Sequence, residues 1–186
     1  MRVIAGSAGG INLDVPKKGV RPTMDRVKAA IFSSLGEMVI GARVLDLFGG
    51  SGALGIEALS RGAASAVFVD SDRPSVETIE RNLTRASVKG AVYCRDVFDF
   101  LRTSRSENSF EIVFADPPYD RTSAGARYSD LLLDNESLPK LLAANGIFVL
   151  EKRPEEGLSI PPSWHPIRSK KYGATEVLFL SAVRDK

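Results

Sequence analysis

Cysteine, histidine and long apolar runs are scarce in this 186-residue sequence, which contains one cysteine and one histidine. The single cysteine, Cys94, excludes an internal disulfide framework and favours a reducing compartment. Apolar residues spaced around Cys94 predict that its thiol lies in the core. No run reaches the roughly 18 apolar residues of a membrane span, and residues 1–6 are too short and glycine-interrupted for a secretory signal. We therefore expect a cytoplasmic protein without membrane contact.

A large excess of charge of one sign is also absent, because 25 basic residues accompany 23 acidic ones and leave a formal charge of +2. So small an excess does not by itself indicate a nucleic-acid partner. Basic residues are nevertheless concentrated near the start of the chain, where Lys17, Lys18 and Arg21 share a segment with proline and glycine. Two extended pieces, 2–5 and 11–15, precede them and predict a hairpin arm with this cluster at its end.

The length of the chain fits one domain that can bury a full sheet between helices. We expect a single domain over 1–186, with the basic arm over 1–23 and the core over 24–186. Apolar residues at helical spacing predict that the core begins with an amphipathic helix, which carries Arg26 and Lys28 on its polar side.

A strand, a glycine-rich turn and a helix follow one another in the middle of the first half of the chain. Residues 44–47 read as a buried strand, and residues 56–59 begin an amphipathic helix. Between them, Gly50, Gly52 and Gly55 match a dinucleotide-binding fingerprint, in which glycines allow positive φ and close approach of a ligand to the backbone. The fingerprint alone is weak evidence, since a glycine-rich turn that binds nothing has the same pattern.

The remainder of the chain alternates between predicted strands and helices. This alternation predicts a doubly wound, mostly parallel, Rossmann-like α/β sheet, and the last two strands predict a C-terminal antiparallel hairpin joined at Gly173. The predicted strands are 66–70, 91–94, 110–115, 147–150, 164–172 and 175–181, with helices over 72–86, from 96 through 101, and over a stretch that ends near 144.

Three acidic residues, Asp70, Asp96 and Asp116, fall at predicted carboxyl ends of strands. Ligands of such sheets bind outside these ends, so the acids and the glycine turn should share one edge. Asp70 lies 18 residues after Gly52, where a carboxylate can accept hydrogen bonds from ribose hydroxyls. This spacing suits both NAD and an adenosyl sulfonium, and it leaves the choice between them open.

These segments resemble the motifs of class I S-adenosylmethionine-dependent methyltransferases. The run from Asp46 to Gly52 is similar to their first motif, and the tetrapeptide after the fourth strand, 116–119, resembles the motif of enzymes that methylate exocyclic or amide nitrogens. The resemblance implies that Asp70 binds the ribose and that Asp96 lies on the adenine side of the cofactor. The implied cofactor-binding residues are Asp46, Phe48, Gly49, Gly50, Gly52, Asp70, Ser71, Asp96 and Val97.

The tetrapeptide Asp116-Pro117-Pro118-Tyr119 has residue types that suit methylation of an exocyclic amine. Such an amine is a poor nucleophile, because its lone pair is delocalised into the ring. The Asp116 carboxylate and the Pro117 carbonyl can accept its hydrogens and favour a pyramidal nitrogen, while proline fixes the backbone. Tyr119 offers a face on which an extruded base can stack. We expect these four residues to be catalytic, and we expect no metal.

Four further segments extend the resemblance to nearly the whole chain, and together they resemble the bacterial 16S ribosomal RNA guanine-N2 methyltransferase family, RsmD-type. The segments are 2–6, 21–28, Arg61-Gly62-Ala63 and Tyr172-Gly173-x-Thr175. The sequence departs from the family pattern at Met24, where a second threonine is common, and at Ala29, where an acid is common.

This family resemblance implies a seven-stranded fold, S-adenosylmethionine as methyl donor and the N2 amine of one guanine in 16S rRNA as acceptor. The implied partner is that RNA within the small ribosomal subunit or an assembly intermediate, and we expect a monomer. The basic side chains that would contact RNA phosphates are Lys17, Lys18, Arg21, Arg26, Lys170 and Lys171.

Three other functions compete with this interpretation. An adenine-N6 methyltransferase of DNA or RNA would use the same tetrapeptide, although sequence-specific DNA enzymes usually carry an added recognition domain, for which no length is left. A non-catalytic ribosome-assembly factor would have no need of an intact glycine turn and of the 116–119 tetrapeptide. An NAD oxidoreductase would need a hydride-handling pair such as a placed histidine and arginine, and none is evident around the single histidine, His165.

Overall fold

In the computed structural model of this protein, the described residues are 1–16, 24–104, 109–119, 122 and 125–184. Seven strands form one sheet. They are β1 (Arg43–Leu47), β2 (Ser65–Asp70), β3 (Ala91–Cys94), β4 (Phe110–Ala115), β5 (Leu142–Lys152), β6 (Trp164–Tyr172) and β7 (Thr175–Ala182). The helices are α1 (Met24–Leu35), α2 (Ala53–Ser60), α3 (Arg73–Arg85), α4 (Val97–Thr103), α5 (Tyr128–Leu133) and α6 (Leu138–Leu141), with a 3-10 turn over Gly36–Val39.

The strand order is β3-β2-β1-β4-β5-β7-β6. The first five strands pair in parallel, whereas β7 is antiparallel to both β5 and β6. The predicted doubly wound, mostly parallel sheet with a C-terminal antiparallel hairpin is therefore confirmed. Because the first strands run in one direction, the segments that follow β1, β2, β3 and β4 all lie at the same edge of the sheet.

Apolar residues fill both faces of the sheet, because successive side chains of a strand point to opposite faces. On β4, Phe114 packs on the face covered by α1, where its ring centroid lies 5.7 Å from that of Phe32. Val113 and Ala115 belong to the core of the opposite face. On that face the ring centroids of Phe148 and Trp164 lie 5.1 Å apart. Helices thus cover both faces of the central strands and leave their carboxyl ends for a site.

The segment before β5 differs from the prediction of a helix that ends near residue 144. The structure has two short helices, α5 and α6, and β5 begins at Leu142. Asn135 separates the helices, since its side-chain oxygen accepts hydrogen bonds from the N–H groups of Ser137 and Leu138. The expected end of the helix near residue 144 therefore lies within β5, whose pairing with β4 is irregular there.

Two predictions about burial are wrong. Cys94 is exposed, because β3 is the edge strand of the sheet and is covered poorly on both faces. Lys28 is buried rather than solvated, and its Nζ atom lies 3.1 Å from the fully buried carboxylate of Glu57. Burial lowers the pKa of Lys28, although the Glu57 charge opposes that shift.

The N-terminal arm forms the predicted hairpin, but it pairs through a single antiparallel bridge between Arg2 and Asn12. The arm packs on the core, because the Glu57 carboxylate accepts hydrogen bonds from the N–H groups of Ile4 at 2.7 Å and Ala5 at 3.1 Å. Its basic end, residues 17–23, lies outside the described residues. None of the helices in the described part of the chain has the length and apolar character that a membrane crossing requires.

Candidate active site

A tight glycine turn connects β1 to α2 at the carboxyl edge of the sheet. Phe48, Gly50 and Gly52 all have left-handed backbone conformations, with φ of 57°, 56° and 75°. The turn closes on itself through a hydrogen bond of 2.7 Å from the Gly52 N–H to the Gly49 carbonyl. A side chain at Gly52 would also meet Ile79 of α3 at 3.2 Å. Conformation and packing thus both favour glycine in this turn.

Asp46 lies beneath the glycine turn and is buried, with 3% exposure. Its carboxyl group accepts a hydrogen bond of 2.9 Å from the N–H of Gly55. Burial, with smaller contributions from the nearby charges of Asp116 and Asp70, raises the pKa of Asp46 to about 8 against the opposing effect of the Gly55 hydrogen bond. The contact that the structure gives this predicted cofactor residue is therefore with the first turn of α2, and the charges of two further predicted acids, Asp116 and Asp70, act on its carboxyl group.

Asp70 ends β2 and contacts the same turn. One carboxylate oxygen accepts a hydrogen bond of 2.8 Å from the Gly50 N–H, and the other accepts one of 2.9 Å from the Asp72 N–H. The neighbouring Ser71 is exposed. Each carboxylate oxygen has a second lone pair, so Asp70 can organise the turn and still accept hydrogen bonds from a ligand at this edge.

Asp96 caps α4 as the sequence predicts. Its side chain accepts hydrogen bonds from the N–H groups of Phe98 at 2.9 Å and Asp99 at 3.0 Å. The side chain of Val97 is buried in the core, so a ligand would reach this predicted cofactor residue through its backbone. Asp70 ends β2, and Asp96 follows the neighbouring strand β3.

A cluster of three aromatic side chains, Phe48, Phe98 and Tyr128, lies beside these acids. The ring centroid of Phe48 lies 6.4 Å from that of Phe98 and 5.6 Å from that of Tyr128. The rings of Phe98 and Tyr128 stack with an interplanar angle of 17°. Phe98 and Tyr128 are not among the residues predicted from the sequence. Phe98 could have been found from its position in the first turn after Asp96, whereas Tyr128 is distant in the chain and gave no signal.

The predicted catalytic tetrapeptide follows β4 at the same edge. Asp116 is half-buried, Pro117 is buried and Pro118 is exposed. Tyr119 has its hydroxyl oxygen 3.3 Å from Oγ1 of Thr175, the first residue of β7. A cleft of about 460 Å³ adjoins the tyrosine and is lined by Tyr119, Arg127, Arg153, Glu155 and Glu156.

A buried ion pair supports the side of this cleft that Arg153 and Glu156 line. Lys152, at the end of β5, lies 2.7 Å from the Glu176 carboxylate. Burial acts to raise the pKa of Glu176, but hydrogen bonds from Lys152 and Ser169 lower it below its ordinary value overall. Lys152 also donates hydrogen bonds to the backbone carbonyls of Arg153 and Glu156. The segment after β5 is therefore fixed against the sheet.

The predicted RNA-binding residues that the structure describes lie in two places. Lys170 and Lys171 are exposed on β6, near the hairpin turn that brings Thr175 to Tyr119. Arg26 is exposed on α1. The remaining three, Lys17, Lys18 and Arg21, lie outside the described residues.

Asn82 connects the arm to the glycine turn. This fully buried side chain accepts a hydrogen bond of 2.8 Å from the Asp14 N–H and donates to the carbonyl oxygens of Asp14 and Ser51, at 2.9 and 2.8 Å. Sequence reasoning gave no reason to single it out. The contact brings the arm, just before its basic segment, to the carboxyl edge of the sheet. Within the described ranges, no three His, Cys, Asp or Glu side chains form a group that could hold a metal ion.

Comparison with known proteins agrees with this architecture. The chain is 39% identical over 184 residues to a proposed rRNA methyltransferase of Bacillus subtilis, YlbH, covering 95% of this chain and 96% of the relative. It is 36% identical to ribosomal RNA small subunit methyltransferase D of Escherichia coli, covering 93% and 85% of the two chains. A solved structure from E. coli, a proposed methyltransferase named yhhF, matches with a TM-score of 0.78 and 32% identity over 98% of this chain and 97% of that one.

The fold is therefore that of class I methyltransferases, as the motifs indicated. A family model described as conserved hypothetical protein 95 matches residues 1–181. The match spans nearly the whole chain, and this protein belongs to that family, the RsmD family that its sequence motifs resemble.

Proposed function

We propose that this protein transfers a methyl group from S-adenosylmethionine to the exocyclic N2 amine of a guanine in 16S rRNA. The observation that carries the proposal is the position of Asp116 and Tyr119 at the end of β4, on the same edge as the glycine turn and close enough for the Asp116 charge to act on Asp46. The names of the relatives support an rRNA substrate. The proposal includes a monomeric, cytoplasmic, metal-free enzyme that acts on the small subunit or an assembly intermediate.

The residues at this edge fit S-adenosylmethionine. Asp46, Asp70 and Asp116 bring carboxyl groups together, and their mutual repulsion contributes to the raised pKa of Asp46. A ligand with a sulfonium and an ammonium group suits the negative charge of this edge. Asp70 and Asp96 would accept hydrogen bonds from the ribose and the adenine side. We further assign Phe98 to the adenine side, because it lies in the first turn of α4 and its N–H donates a hydrogen bond to Asp96.

The cofactor, when bound, supplies a methyl group that the sulfonium has already activated. The protein then has to place the acceptor nitrogen in line with it at near-attack distance. The Asp116 carboxylate and the Pro117 carbonyl would accept the two amine hydrogens and favour a pyramidal, more nucleophilic nitrogen. Pro118 limits backbone motion after them. Because the amine proton becomes acidic only as the new bond forms, Asp116 orients the amine first and accepts its proton second.

Basic residues around this edge would hold the RNA. Lys170 and Lys171 lie on one side, near Thr175, and the segment with Lys17, Lys18 and Arg21 follows the part of the arm that Asn82 ties to the glycine turn. Arg26, exposed on α1, would add a phosphate contact farther out. A base in an accessible RNA loop requires less energy to extrude into such a site than a base within a duplex.

The test is methyl transfer from labelled S-adenosylmethionine to small ribosomal subunits that lack their natural methylations, followed by nuclease digestion and nucleoside mass spectrometry. We expect the label in N2-methylguanosine. Label in N6-methyladenosine would retain the reaction and replace the acceptor with adenine. Failure to bind S-adenosylmethionine in calorimetry would contradict the enzymatic function and favour an assembly factor.

A further inference from the structure

The side chain of Arg153 covers one face of Tyr119. Its guanidinium carbon lies 4.8 Å from the centroid of the tyrosine ring, a distance typical of a cation over an aromatic face. The ring is positioned by its hydroxyl group, which lies 3.3 Å from Oγ1 of Thr175. Tyr119 and Arg153 both line the cleft of about 460 Å³. Arg153 therefore occupies the cleft side of the ring on which an incoming base would stack.

The backbone of Arg153 is fixed while its side chain is exposed. Lys152 donates hydrogen bonds of 2.9 Å to the Arg153 carbonyl and 3.0 Å to the Glu156 carbonyl, and it is itself buried against Glu176. The Arg153 side chain lies at the surface. The guanidinium can therefore leave the tyrosine ring by rotation of side-chain bonds alone.

A second arginine in the same cleft shows a different arrangement. Arg127 lies 2.7 Å and 3.1 Å from the two carboxylate oxygens of Asp130 and donates to the Gly157 carbonyl at 3.2 Å. In the described part of the chain, no ion pair involves Arg153. The guanidinium of Arg127 thus stabilises the cleft wall through these contacts, whereas the main contact of the Arg153 guanidinium is the tyrosine ring.

The charges of the cleft favour a base over a phosphate. Glu155 and Glu156 line it together with the two arginines, so positive and negative charges balance. A phosphate site collects uncompensated positive charge, whereas a guanidinium plane and an aromatic ring are both surfaces on which extruded RNA bases stack. Two such surfaces already face each other here.

We infer that Arg153 is the second wall of the acceptor-base site, and that the extruded base stacks between its guanidinium and the ring of Tyr119. The inference rests on the proposed function. Stacked bases lie about 3.4 Å apart, so a base between the two groups requires roughly 7 Å between them. Compared with the present 4.8 Å, the guanidinium has to withdraw by about 2 Å. Without RNA it covers the ring, and with RNA it closes on the base.

The test compares Arg153→Ala and Arg153→Lys with wild-type protein and with Lys140→Gln, which removes a positive charge from α6, before β5 and therefore at the opposite edge of the sheet. Methyl transfer to unmethylated small subunits is measured at several salt concentrations, with cofactor affinity from calorimetry and folding from thermal melting. We expect both Arg153 variants to lose about tenfold in kcat/KM for RNA, the size of a lost stacking contact. Arg153→Lys should lose activity as Arg153→Ala does, because lysine retains the charge but has no planar group to stack. Cofactor affinity, melting temperature and the salt dependence of KM should stay as in wild type, because Arg153 stacks on the base and contacts no phosphate.

Unchanged kcat/KM in Arg153→Ala would overturn the inference and leave the proposed function intact. Full activity in Arg153→Lys, with a salt slope lowered by about one in Arg153→Ala, would overturn it in favour of a phosphate contact. A wild-type protein that binds cofactor and methylates no RNA base would overturn the proposed function and this inference together.

Discussion

The carboxyl group of Asp46 accepts a hydrogen bond of 2.9 Å from the N–H of Gly55, in the first turn of α2. The bond lies in the interior and joins the end of β1 to the helix that follows the glycine turn. Because burial raises the pKa of Asp46 to about 8, the group that organises the turn keeps its proton at neutral pH. Stability should therefore respond to pH at this residue.

We expect Asp46→Asn to become more stable relative to wild type as the pH rises. The unfolded chain releases the Asp46 proton near the ordinary value of 3.8, and the folded chain releases it near 8. The raised pKa of Asp46 therefore contributes fully to folding stability below about pH 4, and this contribution is lost as the pH rises to about 8. Asparagine keeps an acceptor for the Gly55 N–H and does not titrate.

Urea unfolding of both proteins at pH 5, 7 and 9 measures this effect. Between pH 5 and pH 9, the unfolding free energy of Asp46→Asn should increase relative to that of wild type by roughly 2 kcal/mol or more, since one pKa unit corresponds to about 1.4 kcal/mol. A difference that stays constant across this range would contradict the buried, protonated state of Asp46.

We expect Asn82→Ala to loosen the arm and the glycine turn together. The variant leaves the Asp14 N–H and the Ser51 carbonyl without their partner in the interior, which costs about 1–3 kcal/mol. Calorimetry should show weaker binding of S-adenosylmethionine, and denaturant unfolding should show the loss of stability. Thr84→Ala on the exposed side of the same helix is the control, because its hydroxyl group donates a hydrogen bond to the Glu80 carbonyl of its own helix. Equal stability of the two variants would contradict a linking role for Asn82.

We expect Gly6→Ala to be far more destabilising than Gly10→Ala. Both glycines have left-handed φ, of 85° and 89°, so both substitutions introduce roughly 1–2 kcal/mol of backbone strain. A Cβ atom at Gly6 would lie 1.8 Å from the Ser60 carbonyl oxygen, whereas at Gly10 it would meet none of the described residues within 4 Å. Thermal melting of the two variants separates strain from clash. Similar melting temperatures would mean that the arm does not pack on α2 as described.

The position of the candidate site could be predicted because its signals are local. The periodicity of β1, β2 and β4 predicted where these strands end, and the acids lie at or next to those ends in the chain. Asp96 is a further case, since its capping hydrogen bonds reach only two and three residues along the chain. Such short-range chemistry is visible in a sequence pattern.

The missed features depend on contacts between distant parts of the chain. Glu57 binds backbone groups 53 and 52 residues away, and Asn82 binds Asp14 across 68 residues, so no local pattern indicated that these polar side chains are buried. Cys94 has the apolar neighbours of a core strand, but the strand order puts β3 at the edge of the sheet. Arg153 and Tyr119 meet only because β5 pairs beside β4.

The measurement that tests the account most directly is the rate of methyl transfer by Asp116→Ala, with cofactor affinity measured on the same preparation. Asp134→Ala, an exposed acid that follows α5, is the control. If Asp116 orients the acceptor amine, the variant should bind S-adenosylmethionine nearly as well as wild type. Its rate of methyl transfer should be at most about one hundredth of the wild-type rate. A variant that transfers methyl groups at the wild-type rate would contradict the assignment of the acceptor site to the end of β4.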